Sequence, residues 1–406
     1  MVNMPIRSIL TRCRALSLLS VIIVVASLLA PASAIAAEPL KVYFAGFAFA
    51  SDNAHIQKEF PYTNELLQEK DGDVVRLKKA LDDRLDSIHN PGISLQGNDK
   101  LGNSKSGDAV SLAFAVDWEN VSTEQLGNDT KIVVDLHAQI LVFDFTEKKL
   151  IGAFPIRMQV IDSQPGKPSH EHILELFRNI YYGDAENNIF DQFVERMNKV
   201  SIKQAYHNRI GVTSVILEDK AKNTLKEAKD SKADETAFKS FAARVFSESL
   251  SNNQSVAVLP YSQGGQVIGG AMKLRFSNLD VYQLEIPEPD YYITLVIRGF
   301  KKVKADESST ETAWAYGSYA HVKIELPESP KPYMDTDFKY AVSKTVPVRL
   351  TDLDDWTDYQ ESLMAMFDNI TKQISAQDSS WIGKWATGNN VADQFAAVEN
   401  VIKKCR

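Results

Sequence analysis

Two histidines separated by one residue, His170 and His172 in the stretch SHEH, have the spacing in this chain that most suggests a metal site. Imidazole nitrogens are common zinc ligands, and on a strand this pair would point to one side. The stretch begins a helical pattern, however, in which the two side chains diverge by about 200°. A metal-dependent hydrolase would need His137 or His207 as a further ligand, and helix capping with surface exposure is the alternative interpretation.

An acidic run, LTDLDDWTDYQE, contains five carboxylates and suggests calcium. An EF-hand loop needs a glycine at its sixth position and ligands at alternate positions, and this run has neither. Asp354 or Asp355 as the N-cap of a following helix explains the acids, because carboxylates are favoured in the first turn of a helix. We therefore favour a capping role over a calcium site.

The glycine-rich segment SQGGQVIGGAM has the glycine spacing of a phosphate-binding loop at Gly265 and Gly270. Ala271 and Met272 follow where a lysine and a hydroxyl residue should stand, so a hairpin turn is the better prediction. The chain has no G-x-S-x-G motif, and Cys405 is its only cysteine outside the N-terminal apolar region. The sequence therefore predicts no cofactor and no catalytic residue, and we do not expect an enzyme.

Three aromatic residues are candidate contacts for a partner. Trp381 and Trp385 lie one helical turn apart in SSWIGKWATGNN, and tryptophan often anchors interfaces. Tyr291 directly follows the proline-containing stretch EIPEPD. The alternative for the tryptophan pair is that it folds back and covers a domain.

The elements that position these residues follow an export signal. Arg7, Arg12 and Arg14 precede an apolar run of about 16 residues, which is short for a helix that spans a membrane. Pro31 ends the run, and small residues follow it, as at a signal-peptidase site. The pattern predicts a signal peptide over residues 1–36 without a cysteine for lipidation, and hence a periplasmic protein with no membrane anchor after cleavage.

The chain that would remain after cleavage is acidic. The 406 residues include 45 basic and 53 acidic side chains, a formal charge of −8. Removing the leader with its three arginines leaves 42 basic and 53 acidic residues, a charge of −11. Nucleic acids and anionic membranes repel such a chain, so neither is an expected partner. One cysteine cannot form an internal disulfide, so hydrophobic cores must supply the stability.

The order of predicted elements occurs twice. The first unit, residues 37–205, runs from the strand LKVYFAGFAFA through a helix and four strands to a closing helix. The second unit, residues 210–377, repeats this order and carries an insertion at 261–290, and residues 378–406 form a C-terminal tail. The sequence therefore predicts an α+β fold of two tandem β-α-β-β-β-β-α units, each an antiparallel sheet with helices on one face.

This order of elements resembles the small periplasmic domains of the N-terminal part of TolB and of the curli secretion protein CsgG. The resemblance is carried by the openings KVYFAGFAFA…VVRLKKALDDRL and FKSFAARVFSESL…SVAVLPYS, each followed by a strand meander and a closing helix. The chain lacks the lipidated cysteine of CsgG and the propeller repeats of TolB. The resemblance implies a non-enzymatic binding or scaffolding role.

Three functions remain open on this basis. The leading hypothesis is a soluble, non-enzymatic binding or scaffolding protein of the bacterial envelope, with a protein partner in that envelope. The second is a periplasmic protein that binds a small ligand in the cleft between its two units. The third is a metal-dependent hydrolase that uses His170 and His172.

Overall fold

The structure is a computed structural model, and it describes residues 38–51, 54–97, 110–183, 187–228, 234–261, 270–276, 281–349 and 354–406. The predicted signal peptide and the glycine-rich residues 262–269, for which a hairpin turn was predicted, lie outside the described residues. From Leu40 to Arg406 the chain forms one unit.

Helices and strands are interspersed along the chain, and the α+β fold class predicted from the sequence is confirmed. The described helices are α1 Ile56–Glu59, α2 Pro61–Leu66, α3 Arg76–Leu85, α4 His170–Tyr182, α5 Ile189–Lys199, α6 Asp219–Lys226, α7 Glu235–Gln254, α8 Asp355–Ala376, α9 Ser379–Trp385 and α10 Val391–Cys405. The described strands are β1 Leu40–Phe49, β2 Lys70–Asp71, β3 Val74–Val75, β4 Ile93–Gln96, β5 Val110–Leu126, β6 Asp129–Asp144, β7 Lys149–Pro165, β8 Ile210–Leu217, β9 Gly270–Phe276, β10 Val281–Ile286, β11 Tyr291–Glu307, β12 Glu311–Glu325, β13 Met334–Pro347 and β14 Ala386–Thr387.

The first large sheet has the strand order β4-β1-β5-β6-β7-β10-β9. Strands β4, β1 and β5 are parallel, and β5, β6 and β7 form a long antiparallel meander. Strand β9 pairs back with β1, where Ala48 faces Phe276, so six of these strands form a closed ring. Its interior is filled by alanine and larger apolar side chains, namely Ala48, Ala113, Ala115, Leu141, Phe143, Leu150, Ala153, Leu259, Leu274, Phe276, Leu284 and Ile286.

The second large sheet has the strand order β14-β13-β12-β11-β8. Strand β8 runs parallel to β11, and β11, β12 and β13 form a second long antiparallel meander. This arrangement repeats that of β1 with β5, β6 and β7 in the first sheet. The strands β9 and β10, which belong to the insertion at 261–290, lie in sequence within the second half but pair with the first sheet.

The segment Val256 to Leu259 joins the two sheets. The sequence predicted a full strand here, in SVAVLPYS, but the structure has only two isolated bridges, from Val258 to Ala153 of β7 and from Leu259 to Gly211 of β8. Side chains of this segment contribute to three separate hydrophobic clusters. Val256 and Val258 lie in the core of the second sheet, Ala257 lies in the core of the first sheet, and Leu259 lies in the interior of the strand ring. The segment therefore pairs once with each sheet and forms no strand of its own.

Each sheet packs one face against helices. Helices α3, α4 and α5 cover the first sheet and form a core with aromatic side chains such as Phe47, Phe114 and Phe177. Helices α7, α8 and α10 cover the second sheet, and Phe246, Phe367 and other side chains fill the core between them. The segment 378–406 belongs to this second core, because β14 pairs with β13 and α10 buries its apolar side there.

Helix α7 lies between the two sheets and is buried on most of its circumference. One side is apolar, with Phe238, Phe241 and Val245 in the second core. The other side is polar and approaches β7 of the first sheet. Its polar side chains recur at helical spacing and are Ser240, Arg244, Ser247, Glu248 and Ser251. This polar side brings charged groups into the contact between the two halves.

Candidate functional site

The polar side of α7 faces a polar patch on the first sheet, and we call the region between them the polar cleft. One face of strand β6 points away from the first core. At its C-terminal end this face carries Leu141 and Phe143, which fill the interior of the strand ring. Nearer the N-terminus the same face carries three polar side chains, Asp135, His137 and Gln139. All three are buried, which requires partners across the cleft.

A β-bulge in β5 adds a carboxylate to the polar cleft. The pairing of β5 with β6 shifts register between Val116 and Trp118, and Asp117 is the extra residue. The side-chain amide of Gln139 donates a hydrogen bond from Nε2 to Asp117 Oδ2 (2.8 Å). The ring of Trp118 meets the imidazole of His137 edge-on, with centroids 4.9 Å apart.

An arginine fork connects the first sheet to α8. Arg157 on β7 donates from Nε (3.0 Å) and Nη2 (2.5 Å) to Asp135 Oδ1. Gln159 donates from Nε2 to both oxygens of Asp135, each at 3.0 Å. The remaining guanidinium nitrogen, Nη1 of Arg157, lies 2.8 Å from the sulfur of Met364 on α8. Both carboxylate oxygens of Asp135 therefore accept hydrogen bonds, and the side chain of Arg157 reaches from β7 to α8.

Helix α7 contributes one cation and one carboxylate. The guanidinium of Arg244 lies over the ring of Trp118, 5.2 Å from its centroid, and burial lowers its pKa. Burial raises the pKa of Glu248 to about 7; the neighbouring carboxylates Asp135, Asp117 and Asp368 add to the rise, and Arg157 opposes it. The Glu248 carboxyl therefore changes its protonation state near neutral pH in the folded protein.

Burial also governs the two other titratable groups of the cleft. It raises the pKa of the Asp117 carboxyl, against the attraction of Arg244. It lowers the pKa of His137 well below the usual range, and the positive charges of Arg157 and Arg244 lower it further. The positively charged form of His137 is therefore strongly disfavoured in the folded protein.

Several polar atoms of the cleft have no hydrogen-bond partner among the residues that the structure describes. They are Asp117 Oδ1, His137 Nε2, Gln139 Oε1 and Arg244 Nε. Buried polar atoms are normally paired, and each one left alone costs free energy. Four of the eight buried side-chain atoms that lack a partner among the described residues therefore lie in this cleft.

The two histidines of SHEH do not meet at one point. The stretch begins helix α4, as the helical interpretation predicted, and Ser169 caps that helix by accepting a hydrogen bond from the His172 amide. His170 Nε2 lies 2.8 Å from Glu65 Oε2, and His172 Nε2 lies 2.7 Å from Asp162 Oδ2. Within the described ranges, no group of three His, Cys, Asp or Glu side chains is arranged to hold a metal ion.

The acidic run before α8 serves capping and ion pairs where the structure describes it. Asp354 Oδ1 accepts a hydrogen bond from the Trp356 amide and caps the helix, as predicted. Asp355 Oδ1 accepts from Lys302 Nζ (2.7 Å) and from the hydroxyl of Tyr316 (2.8 Å). Asp358 accepts hydrogen bonds from Lys344 Nζ at both carboxylate oxygens (2.7 and 2.9 Å), and the carboxylate of the run at position 352 lies outside the described residues.

The three aromatic candidates for partner contact lie in or against the second core. Tyr291 is 4% exposed, and its ring packs against that of Tyr333. Trp381 is half-buried beside Phe338, with ring centroids 6.4 Å apart. The ring of Trp385 lies 5.0 Å from that of Tyr340. The tryptophan pair thus covers strand β13, the alternative that the sequence left open.

The polar cleft itself was not predicted from the sequence. A signal for it exists in β6, KIVVDLHAQILVFDF, where the alternate positions Asp135, His137 and Gln139 interrupt an apolar strand. Alone, that alternation equally fits a strand with one side in water. Only the contact with α7, a helix about 100 positions later in the chain, turns it into a buried site.

No helix in the described part of the chain combines the length and apolarity needed to cross a membrane. No protein-family model matches the chain, and no curated protein matches it. One solved structure that is similar is described as a 2.35 Å crystal structure of a minor lipoprotein from Acinetobacter baumannii. It is 14% identical over 39% of this chain and 90% of that one, with a TM-score of 0.21, and such a likeness supports no conclusion about function.

Proposed function

We propose that this chain is an exported, non-enzymatic binding or scaffolding protein of the bacterial envelope. The pattern of residues 1–36 supports export to the periplasm, because a basic start, an apolar run and small residues follow one another. The negative charge supports a protein or small-molecule partner over nucleic acid.

The outer face of the second sheet is the observation that carries this proposal. Along β11, β12 and β13, the side chains on the side away from α7 and α8 are exposed or half-exposed. The apolar side chains exposed on this face include Ile216 (48% exposed) and Tyr319 (39% exposed). The equivalent face of the first sheet is instead occupied by the ring interior and the polar cleft.

Charged groups on this outer face bond to one another. Arg298 Nη2 lies 2.6 Å from Asp337 Oδ1. His321 stands between two carboxylates, with Nδ1 2.8 Å from Asp337 and Nε2 2.9 Å from Asp335. A surface that mixes fixed ion pairs with exposed aromatic and aliphatic side chains resembles the rim and centre of a transient protein interface. The partner we propose is therefore an envelope protein that presents a mixed polar and apolar surface.

Site-specific photo-crosslinking in cells tests this proposal. A photoreactive amino acid at Ile216 or Tyr319 should give the same crosslinked protein from both positions. The matched control is Ile161 on β7, which is 56% exposed on the first sheet. The proposal fails if positions 216 and 319 give no adduct, or if position 161 gives the same adduct.

A second function, binding of a small polar ligand, is favoured by the unpartnered atoms of the polar cleft. Asp117 Oδ1, His137 Nε2 and Gln139 Oε1 are buried and have no hydrogen-bond partner among the described residues, so a bound polar molecule could supply the missing bonds. A ligand that binds only the folded state raises the melting temperature. A metabolite library should therefore contain compounds that stabilise the wild-type protein and leave Asp117→Asn unchanged. A library without any such compound would rule out this function.

A further inference from the structure

The outer face of the second sheet continues as an open surface toward the turn between β11 and β12. We call the part of this face that spans Glu311 to Tyr319 of β12, with the residues opposite on β11 and β13, the distal patch. Its centre is Ala315, which has Val303 opposite on β11 and Ser343 opposite on β13. Val303 is 45% exposed, so an apolar side chain at the centre of the patch lies in water.

The backbone pairing determines which side chains share this face. Residues directly opposite each other on neighbouring strands point to the same side of a sheet, and alternate residues along one strand do so too. Ala313 and Gly317 therefore lie on the same face as Ala315, and Ala341 lies opposite Gly317 on β13. These side chains are small, so another flat surface can approach the whole patch closely. The charges around the patch then decide which surface fits.

Opposite charges on β11 lie at equal distances from the centre of the patch. Lys301 lies opposite Gly317, two residues from Ala315. Asp306 lies opposite Ala313, two residues from Ala315 in the other direction. Both charged side chains are exposed, and neither forms an ion pair with another residue that the structure describes. The patch therefore has one positive and one negative end along β11.

The next charges outward have the same arrangement. Lys339 on β13 lies opposite Tyr319, on the positive side of the patch. Glu311 lies at the negative end of β12, as far from the centre as Tyr319 is. Lys339 and Glu311 are exposed as well, and within the described ranges they form no ion pair.

A second copy of the chain complements this arrangement when it is turned by 180° about an axis that crosses the strands at Ala315. The axis lies in the plane of the patch, so each β11 stacks on β11 of the other copy in the reverse direction. Lys301 of each copy then faces Asp306 of the other, and Val303 faces Val303 at the axis. Stacked sheets lie about 10 Å apart, which a lysine and an aspartate side chain together can span. Such self-complementary contacts are those of a two-fold dimer.

We propose that the distal patch binds a second copy of this chain, in a two-fold dimer centred on Val303 with two ion pairs between Lys301 and Asp306. This inference rests on the proposed function, because it names the envelope protein that contacts the outer face. Strands about 4.8 Å apart, with a rise of about 3.4 Å per residue, give the patch an area of roughly 400 Å². Stable interfaces bury about 800 Å² per partner, so the dimer is transient. Salt weakens it, because its ion pairs are near solvent.

Sedimentation velocity of the leaderless protein tests the inference at concentrations from about 10 μM to about 1 mM. The sedimentation coefficient of the wild type should rise with concentration, and less so in high salt. Lys301→Asp and Asp306→Lys each place like charges opposite each other, so each should weaken self-association about tenfold or more. An equimolar mixture of the two variants should associate as the wild type does, because opposite charges then meet at both positions. Asp83→Lys, which makes the same charge change on α3, is the matched control and should behave as the wild type does.

Three results would overturn the inference: a wild type that is monomeric at every concentration, association that both charge variants retain, or a mixture of the variants that stays monomeric. If one variant does not fold, as judged by circular dichroism, the other decides by comparison with Asp83→Lys. If the wild type is monomeric but crosslinking from Ile216 and Tyr319 captures a different envelope protein, the dimer is wrong and the proposed function stands. If the wild type is monomeric and no adduct forms, both are wrong.

Discussion

Replacing Glu248 by glutamine should stabilise the protein, and the gain should grow as the pH rises. Glu248 lies on the polar side of α7, where burial raises its pKa from 4.5 to about 7. The folded state therefore holds a proton that the unfolded state has already released. Because the unfolded chain binds fewer protons between pH 4.5 and 7, the contribution of Glu248 to stability falls across that window. Glutamine cannot ionise and avoids this loss.

The size of the effect follows from the difference between the pKa of Glu248 in the folded and unfolded chains. A pKa difference of one corresponds to about 1.4 kcal/mol, so the ionised Glu248 costs up to about 3 kcal/mol at pH 8. At pH 5, where the folded carboxyl keeps its proton and the unfolded one is only partly protonated, the same cost is about 1 kcal/mol. Glu248 is partly exposed, so these values are upper bounds.

Urea unfolding of wild type and Glu248→Gln at pH 5 and pH 8 measures this prediction. The stability difference should favour the variant and increase by about 2 kcal/mol between the two pH values. Glu195→Gln, an exposed carboxylate on α5, is the matched control and should show no such increase. A Glu248→Gln difference that is independent of pH, or a variant that is less stable at pH 8, would refute the account of the cleft.

Three further predictions concern the contacts between the halves and the second core. Arg196→Ala should destabilise the protein by about 3 kcal/mol in urea unfolding, because Arg196 donates from α5 to the backbone and hydroxyl oxygens of Ser251 on α7; an effect below about 1 kcal/mol would contradict this role. Gly152→Val should lower the melting temperature, since a Cβ at 152 would lie 2.8 Å from that of Ala257 in the joining segment; an unchanged melting temperature would show that the two halves can separate there without cost. Burial raises the pKa of the Cys405 thiol to about 12, so a thiol reagent at pH 8 should react only as the chain unfolds, and rapid labelling of the native protein would show that α10 is not docked.

Much of the fold could be predicted from local pattern. The long strands β5 to β7 and β11 to β13 have clear alternation or apolar runs, and α4 and α8 have apolar residues at helical spacing with a capping residue in front. Asp354, which was predicted as a cap, and Ser169, which was not, both accept a backbone hydrogen bond from the first turn of their helix. These features depend only on residues close together in the chain.

The parts that could not be predicted depend on contacts across the chain. Strand β9 pairs with β1, and strand β10 pairs with β7, more than 100 positions earlier in the chain. The residue patterns of β9 and β10 do not indicate which strands they pair with. The sequence pattern of α7 predicts one apolar face, but the helix is buried on most sides, and its polar side with Arg244 faces the first sheet. The polar cleft has the same origin, because its two walls come from different halves.

The ¹⁵N spectrum of the His137 imidazole tests the central claim most directly, that the two halves enclose a polar cleft in which this ring is buried near the guanidiniums of Arg157 and Arg244. At pH 6 we expect a neutral ring, because burial and these two positive charges lower the pKa of His137 well below its usual value. A ring that is protonated at pH 6 would contradict the account.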